Sequence, residues 1–239
     1  FRSHVASLRV DKRGYGEAEE WRQQQQVLPN QIEDAKAALQ FLRTRFQETK
    51  ILVYGFSEGS LVALNVANEP RVSGIYLMSP VTRPIDEVLE YQFVNWPTEV
   101  ALRMDTDGDQ VLTEAEYAPY LSTFTVPYLS AAFTAFDLNG DRAITAQELT
   151  AAYTQFYGAL RGVLQTPDYY YWHQALVSAT PFSVLASNVP SDIPVFVYQG
   201  TWDSQLDYRW LSEDLRPFGE RVAPRIYEQL GHSLAPMDG

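Results

Sequence analysis

The sequence predicts an α/β domain, a parallel sheet core interrupted by an all-helical insertion. Three observations predict it. Short apolar runs bounded by glycine alternate with helical segments over residues 1–83 and again over 179–239. Between them, residues 84–178 switch to helical periodicity rich in aromatics, with no convincing strand. Inside that block, residues 105–116 and 137–148 repeat one acidic pattern at an offset of 32 residues.

Taken in order, residues 4–10 read as a strand running into Asp11-Lys12-Arg13-Gly14-Tyr15-Gly16, a glycine-punctuated loop. Residues 31–47 place Ile32, Ala35, Ala38, Leu39 and Leu42 at helical spacing, with Asn30 as N-cap. Ile51-Leu52-Val53-Tyr54 is a short apolar run, as expected of a strand buried on both faces of a parallel sheet. After Gly55 to Ser60 a helix continues over 61–68, and residues 72–78 form the next strand. Beyond the insertion, a strand over 194–198 stops at Gly200. A helix near 205–215 and a strand near 222–227 lead to Leu230-Gly231-His232.

The 239 residues are 46% hydrophobic, with 12 Phe, 15 Tyr and 5 Trp, a composition that fills a core and argues against disorder. No apolar run approaches the ~18 residues that would span a bilayer. A net charge of −12 argues against nucleic acid or an anionic membrane surface as partner. That charge has a local origin. Residues 105–116 carry five carboxylates and no base, and residues 137–148 carry three against one Arg. With no cysteine, disulfides, thiolate metal sites and a cysteine nucleophile are excluded.

Gly55-Phe56-Ser57-Glu58-Gly59 sets a serine between a strand and a helix. A sharp strand-to-helix turn lifts the Ser57 hydroxyl above the sheet, and its tightness demands small flanking residues. The backbone N–H of Glu58, at the helix N-terminus, is then placed to stabilise an oxyanion. Serine needs a base, and the base needs an orienting acid. Of three histidines, His4 precedes the serine, and His173 lies in the aromatic run Tyr169-Tyr170-Tyr171-Trp172. Both read as structural. His232 follows the last strand and is the candidate base. Asp203, just beyond the carboxyl end of the strand at 194–198, is the candidate acid. Asp207 and Asp86 are alternatives, and helix capping is the competing role for Asp203.

The Asp11–Gly16 loop, Gly55–Gly59, Gly200-Thr201-Trp202-Asp203 and Leu230-Gly231-His232 resemble successive landmarks of the α/β-hydrolase superfamily, in family order. Ser79 to Glu90 is similar to its bacterial esterase and serine-peptidase-like branches. The resemblance implies a Ser57–Asp203–His232 triad and a cap formed by residues 84–178. It also implies that three strands and the loop with the second oxyanion donor would precede Phe1, leaving Glu58 the one donor named in this chain.

Residues 105–116 offer oxygen ligands at the positions of an EF-hand calcium loop: Asp105, Asp107, Asp109, the Val111 carbonyl, Thr113 and a bidentate Glu116. Residues 137–148 offer Asp137, Asn139, Asp141, the Ala143 carbonyl, Thr145 and Glu148. Leu112 and Ile144 supply the apolar positions at which paired loops meet as a ribbon. Phe133 and Phe136 fall at helix-face spacing. The pair resembles EF-hands with one departure. Position 6, normally Gly, holds Gln110 and Arg142, at a cost of about 1 kcal/mol each for a left-handed backbone. The expectation is two calcium ions that hold the cap in shape.

The function expected is hydrolysis of a small carboxylic ester through an acyl-enzyme. Thioesterase or serine-peptidase chemistry would use the same groups, and the competing class is a non-catalytic calcium-dependent binding module. Weakened calcium loops suit the high calcium of a periplasmic or extracellular setting. The Tyr169–Trp172 run either lines an apolar pocket or packs the cap onto the core.

Overall fold

The computed structural model describes residues 5–10, 12–13, 27–123 and 131–236. Pro29, with fixed φ and no N–H, sits in the first turn of α1 (Leu28–Arg45), where neither property costs a hydrogen bond. The helix therefore starts before Asn30, and the cap position falls to extended Val27 instead of the predicted Asn30. β1 (Ile51–Phe56), α2 (Gly59–Asn65) and β2 (Val72–Met78) follow. Next comes an unbroken helical segment: α3 (Ile85–Glu90), a π-turn (Tyr91–Asn95) and α4 (Trp96–Leu102). β3 (Val111–Thr113), α5 (Glu114–Thr123) and β4 (Ala143–Thr145) carry the acidic loops. α6 (Ala146–Val163), α7 (Pro167–Val177) and α8 (Phe182–Ser187) lead back to the sheet through β5 (Val195–Gly200). The chain then passes through α9 (Leu211–Asp214) to β6 (Arg225–Tyr227). The helix predicted near 205–215 is reduced to a 3-10 turn (Tyr208–Trp210) and the short α9, since the Gln205 and Leu206 N–H groups are bonded to the Asp203 side chain. Beyond it, Pro217 and Gly219, with φ 62°, interrupt any continuation.

The four main strands are all parallel, in the order β1-β2-β5-β6. Ile75 and Leu77 of β2 and Val195 and Val197 of β5 are buried beside the buried Leu61, Ala63 and Leu64 of α2. The opposite face carries Leu52, Tyr54, Phe56 and Phe196, all exposed, with Tyr76 stacked on Phe196 at 4.7 Å. β1 is therefore not buried on both faces as predicted, since among the described residues only one face of the sheet is covered. Residues 5–10 carry no strand and are exposed, Val5 to 70%. Alternating apolar residues make a strand only where a ladder partner and a covered face exist, and among the described residues neither is beside them. His4, Asp11 and Gly14–Gly16 lie outside the described residues.

The insertion, expected to be all-helical, contains the two-stranded β3–β4 ribbon, because the paired loops bond to each other across it. Leu112 pairs with Ile144 across the antiparallel β3–β4 ribbon, and both are fully buried. Leu112 and Ile144 are joined by Tyr117, Phe133, Phe136 and Tyr153, whose rings pack at 4.9–5.9 Å, Tyr117 on Phe133 edge-on and the others tilted. Phe133 and Phe136 do so from a 3-10 turn (Phe133–Ala135), not an α-helix face. No helix among the described residues is long and apolar enough to cross a membrane.

Candidate active site

The turn after β1 places Ser57 at the carboxyl edge of the sheet with φ 53°, a left-handed conformation costing a non-glycine residue about 1–3 kcal/mol. Its N–H donates to the Met78 carbonyl at 3.0 Å, and its own carbonyl accepts from the Ser60 N–H at 2.9 Å. Gly55 is required. A Cβ there would lie 2.5 Å from the Gly59 carbonyl and 2.9 Å from the Ala63 Cβ. Gly59 is different, since a Cβ on it would meet nothing within 4 Å. The demand for small residues on both sides thus holds at Gly55 alone, because it is the backbone of Gly59 that presses on it. Glu58 is the N-cap of α2, so helix geometry provides its N–H with no intrahelical acceptor.

His232 and Asp203 come together. His232 Nδ1 lies 2.8 and 2.9 Å from the two Asp203 carboxylate oxygens. Asp203 is 1% exposed and collects further donors: Gln199 Nε2 at 2.6 Å, and the N–H groups of Gln205 at 2.8 Å and Leu206 at 3.1 Å. These N–H groups lie in a loop turn and not in a helix, so the helix-capping role weighed for Asp203 is not what the structure shows; the N-cap of the following 3-10 turn is Asp207. The His232 ring packs on Phe56 at 4.8 Å, the residue before Ser57. The Ser79 hydroxyl donates to the His232 carbonyl at 2.7 Å. The Ser57 hydroxyl itself makes no hydrogen bond to His232 in this structure.

The alternative residues have other partners. Asp207 accepts from the Arg209 N–H and guanidinium at 2.7–2.9 Å. Asp86 meets His173 Nε2 at 3.0 Å, joining α3 to α7. Sequence reasoning passes over Gln199, Ser79 and the side chain of Glu58. Gln199 carries a signal in being an amide inside an otherwise apolar strand. Ser79 has a left-handed φ of 45°, which no sequence pattern reports. The Glu58 carboxylate accepts from Gln31 Nε2 at 2.6 Å and Trp172 Nε1 at 3.0 Å, tying the serine turn to α1 and α7.

Ser57 and Glu58 open onto a cleft of about 550 Å³. Leu61, Ile85, Val88, Leu176 and Phe182 give it an apolar wall. Of the aromatic run only Trp172 lines it, while Tyr169, Tyr170 and Tyr171 are 40–50% exposed. Consecutive residues on a helix point to different sides, so a four-residue run cannot line one pocket.

In the acidic loops Asp105, Asp107 and Asp109 each present a carboxylate oxygen within 4.8 Å of the others. Gln110 and Arg142 adopt φ of 70° and 69°, and Gly108 and Gly140 φ of 77° and 78°. The position-6 side chains therefore carry the strain expected of them. Glu116 accepts from the backbone N–H and hydroxyl of both Thr113 and Thr106. These bonds, the Thr113 N–H foremost, hold its carboxyl down at about 2. Glu148 forms the same arrangement with Thr145, as a capping box on α6.

A family model described as Serine aminopeptidase, S33 matches residues 2–107. Over 61 residues the chain is 33% identical to Esterase EstD of Thermotoga maritima, a match covering 26% of this chain and 15% of that protein. Among solved structures the chain is similar to a thermostable carboxyl esterase from Bacillus coagulans, at 15% identity and a TM-score of 0.42 over 82% of this chain and 62% of that one. It is also similar to the Pyrococcus furiosus esterase Pf2001, at 14% identity and 0.43 over 84% and 53%. The chain spans less than two thirds of each of these proteins.

Proposed function

We propose that this chain carries the nucleophile, base and acid of a serine hydrolase acting on small carboxylic esters. The observation that carries the reading is the contact of buried Asp203 with His232 at 2.8 Å, at the same sheet edge as a strained Ser57 that opens onto a cleft with one apolar wall. Ser57 Oγ attacks the ester carbonyl while His232 Nε2 takes its proton, and Asp203 holds the imidazole with Nδ1 protonated. The Glu58 N–H stabilises the tetrahedral oxyanion. His232 then protonates the departing alcohol, leaving an acyl-serine that water cleaves by the same steps in reverse order. Thioesters and peptides present the same carbonyl, and the apolar cleft wall favours an uncharged acyl group.

A fluorophosphonate probe is expected to add one phosphonyl group to Ser57, read by mass spectrometry, and none to Ser57→Ala. Turnover of a p-nitrophenyl ester should fall with that substitution by about 10³-fold or more. Absence of labelling in the wild-type chain would instead support the calcium-dependent binding module.

We further propose that the two acidic loops bind calcium and that its role is structural. The donor chemistry fits. Three carboxylates with oxygens within 4.8 Å repel one another unless a cation lies among them, and hard oxygen donors suit calcium. Asp105, Asp107, Asp109, Thr113, Glu116 and the Val111 carbonyl would hold one ion. Asp137, Asn139, Asp141, Thr145, Glu148 and the Ala143 carbonyl would hold the other. Calcium at about 100 times its Kd should stabilise the fold by ~2.7 kcal/mol per site, raising Tm by roughly 5–10 °C per site for a chain of this size. Equal melting temperatures in calcium and in chelator would sink the idea.

A further inference from the structure

We infer that Tyr91, the first residue of the π-turn, is a positioning residue for Asp203. The inference rests on the serine-hydrolase reading for its kinetic consequence, but not for its structural one. The helical segment Ile85–Leu102 crosses the loop 202–210, and the π-turn Tyr91–Asn95 lies where it does so. π-turns are rare and occur frequently at functional sites, and Tyr91 is the first residue of this one. Here the Tyr91 hydroxyl, on a residue only 4% exposed, donates to the main-chain carbonyl of Asp203 at 3.2 Å. Its ring meets Trp210 edge-on at 5.2 Å. Gln92 Nε2 donates to the Gln205 carbonyl at 3.2 Å. Further along the segment, Glu99 accepts from Arg209 at 2.6 Å, and the Arg103 guanidinium lies 5.1 Å from the Trp202 ring centre.

The acid is thus gripped at two ends. Its carboxylate is fixed from within its own loop and strand by Gln199, Gln205 and Leu206. Its backbone is fixed from the helical segment by Tyr91. A buried hydroxyl is costly unless bonded, so this bond also holds the segment in register on the loop. Releasing the backbone end lets Asp203 rock about its carboxylate contacts, which lengthens or misaligns the bond to His232 Nδ1. Small displacements of this kind cost rate without changing substrate contacts, because Tyr91 does not line the cleft.

The test is Tyr91→Phe in the full chain, which keeps the ring on Trp210 and removes one oxygen. The kcat for a p-nitrophenyl ester should fall about ten-fold with KM unchanged. The low-field Nδ1–H resonance of His232 should shift or broaden. Tyr157→Phe is the matched control. It removes a hydroxyl bonded at 3.4 Å to another carbonyl of the same helical layer, that of Asp86, and should leave kcat and the resonance as in wild type. A Tyr91→Phe protein that loses melting temperature but keeps both readouts would overturn the inference. If the wild-type chain neither labels nor turns over, the serine-hydrolase reading fails, and the resonance still decides whether Tyr91 positions Asp203.

Discussion

Asp203→Asn is expected to lower kcat for ester hydrolysis by about 10³–10⁴-fold, with little change in KM. The geometry gives the reason. Oδ1 of Asp203 accepts from the N–H groups of Gln205 and Leu206, so an asparagine must keep its oxygen there. Its NH₂ then takes the place of Oδ2 and points donors at Gln199 Nε2 and His232 Nδ1. His232 accepts from that NH₂ with Nδ1 unprotonated, which moves the proton to Nε2, whereas keeping Nδ1–H on Oδ1, 2.9 Å away, sets that hydrogen against the neighbouring NH₂. An imidazole protonated at Nε2 cannot take the proton of Ser57. The facing donors at Gln199 should also cost about 1–3 kcal/mol of stability, so kcat is to be measured well below the variant's Tm. Undiminished turnover would remove Asp203 from the mechanism. Asp207 could not simply replace it, since its carboxylate is taken up by Arg209.

The second large effect is expected from Gly200→Ala. A Cβ at this position would lie 2.0 Å from the Leu230 carbonyl oxygen, 2.6 Å from its carbon and 2.8 Å from the Gly231 carbonyl oxygen. All three are backbone atoms, so no rotamer change relieves the overlap. The 230–231 segment must shift, and His232, held between Asp203, Phe56 and Ser79, must shift with it. Overpacking of this severity should cost about 3 kcal/mol or more, and displacement of the base should lower kcat by about 100-fold. Gly158→Ala on α6 is the contrasting substitution, because a Cβ there meets nothing within 4 Å. It should stabilise the helix by about 1 kcal/mol. Denaturant midpoints and kcat for the two variants check both statements. Wild-type activity in Gly200→Ala would mean that the approach of residue 230 to the strand is not tight.

Much of the sheet is legible because parallel strands and their helices leave one-dimensional marks. The run Ile51–Tyr54, the strand over 72–78 and the strand stopping at Gly200 need no partner to be recognised. Residues 5–10 show the limit. Their alternation is the same kind of signal, yet among the described residues they have no ladder neighbour, and the pattern alone forms nothing. The exposed face of β1 makes the same point from the other side. Hydrophobicity specifies that a residue gains by burial, but not whether something covers it.

What the sequence determined by itself about this protein is chemical identity at fixed spacing. A serine between glycines, a histidine after the last strand, an aspartate beyond a strand end, and two twelve-residue loops of oxygen donors are all local patterns. Tertiary structure alone decided how those groups are held. It set Asp203 against His232, gave His232 its anchor in Ser79, tied Glu58 to Trp172, and brought the π-turn with Tyr91 over the acid loop. The physical reason is that a hydrogen bond between residues 112 positions apart, such as Tyr91 to Asp203, depends on the relative placement of whole elements. That placement is set by the packing of the core as a unit, and no stretch of sequence contains it.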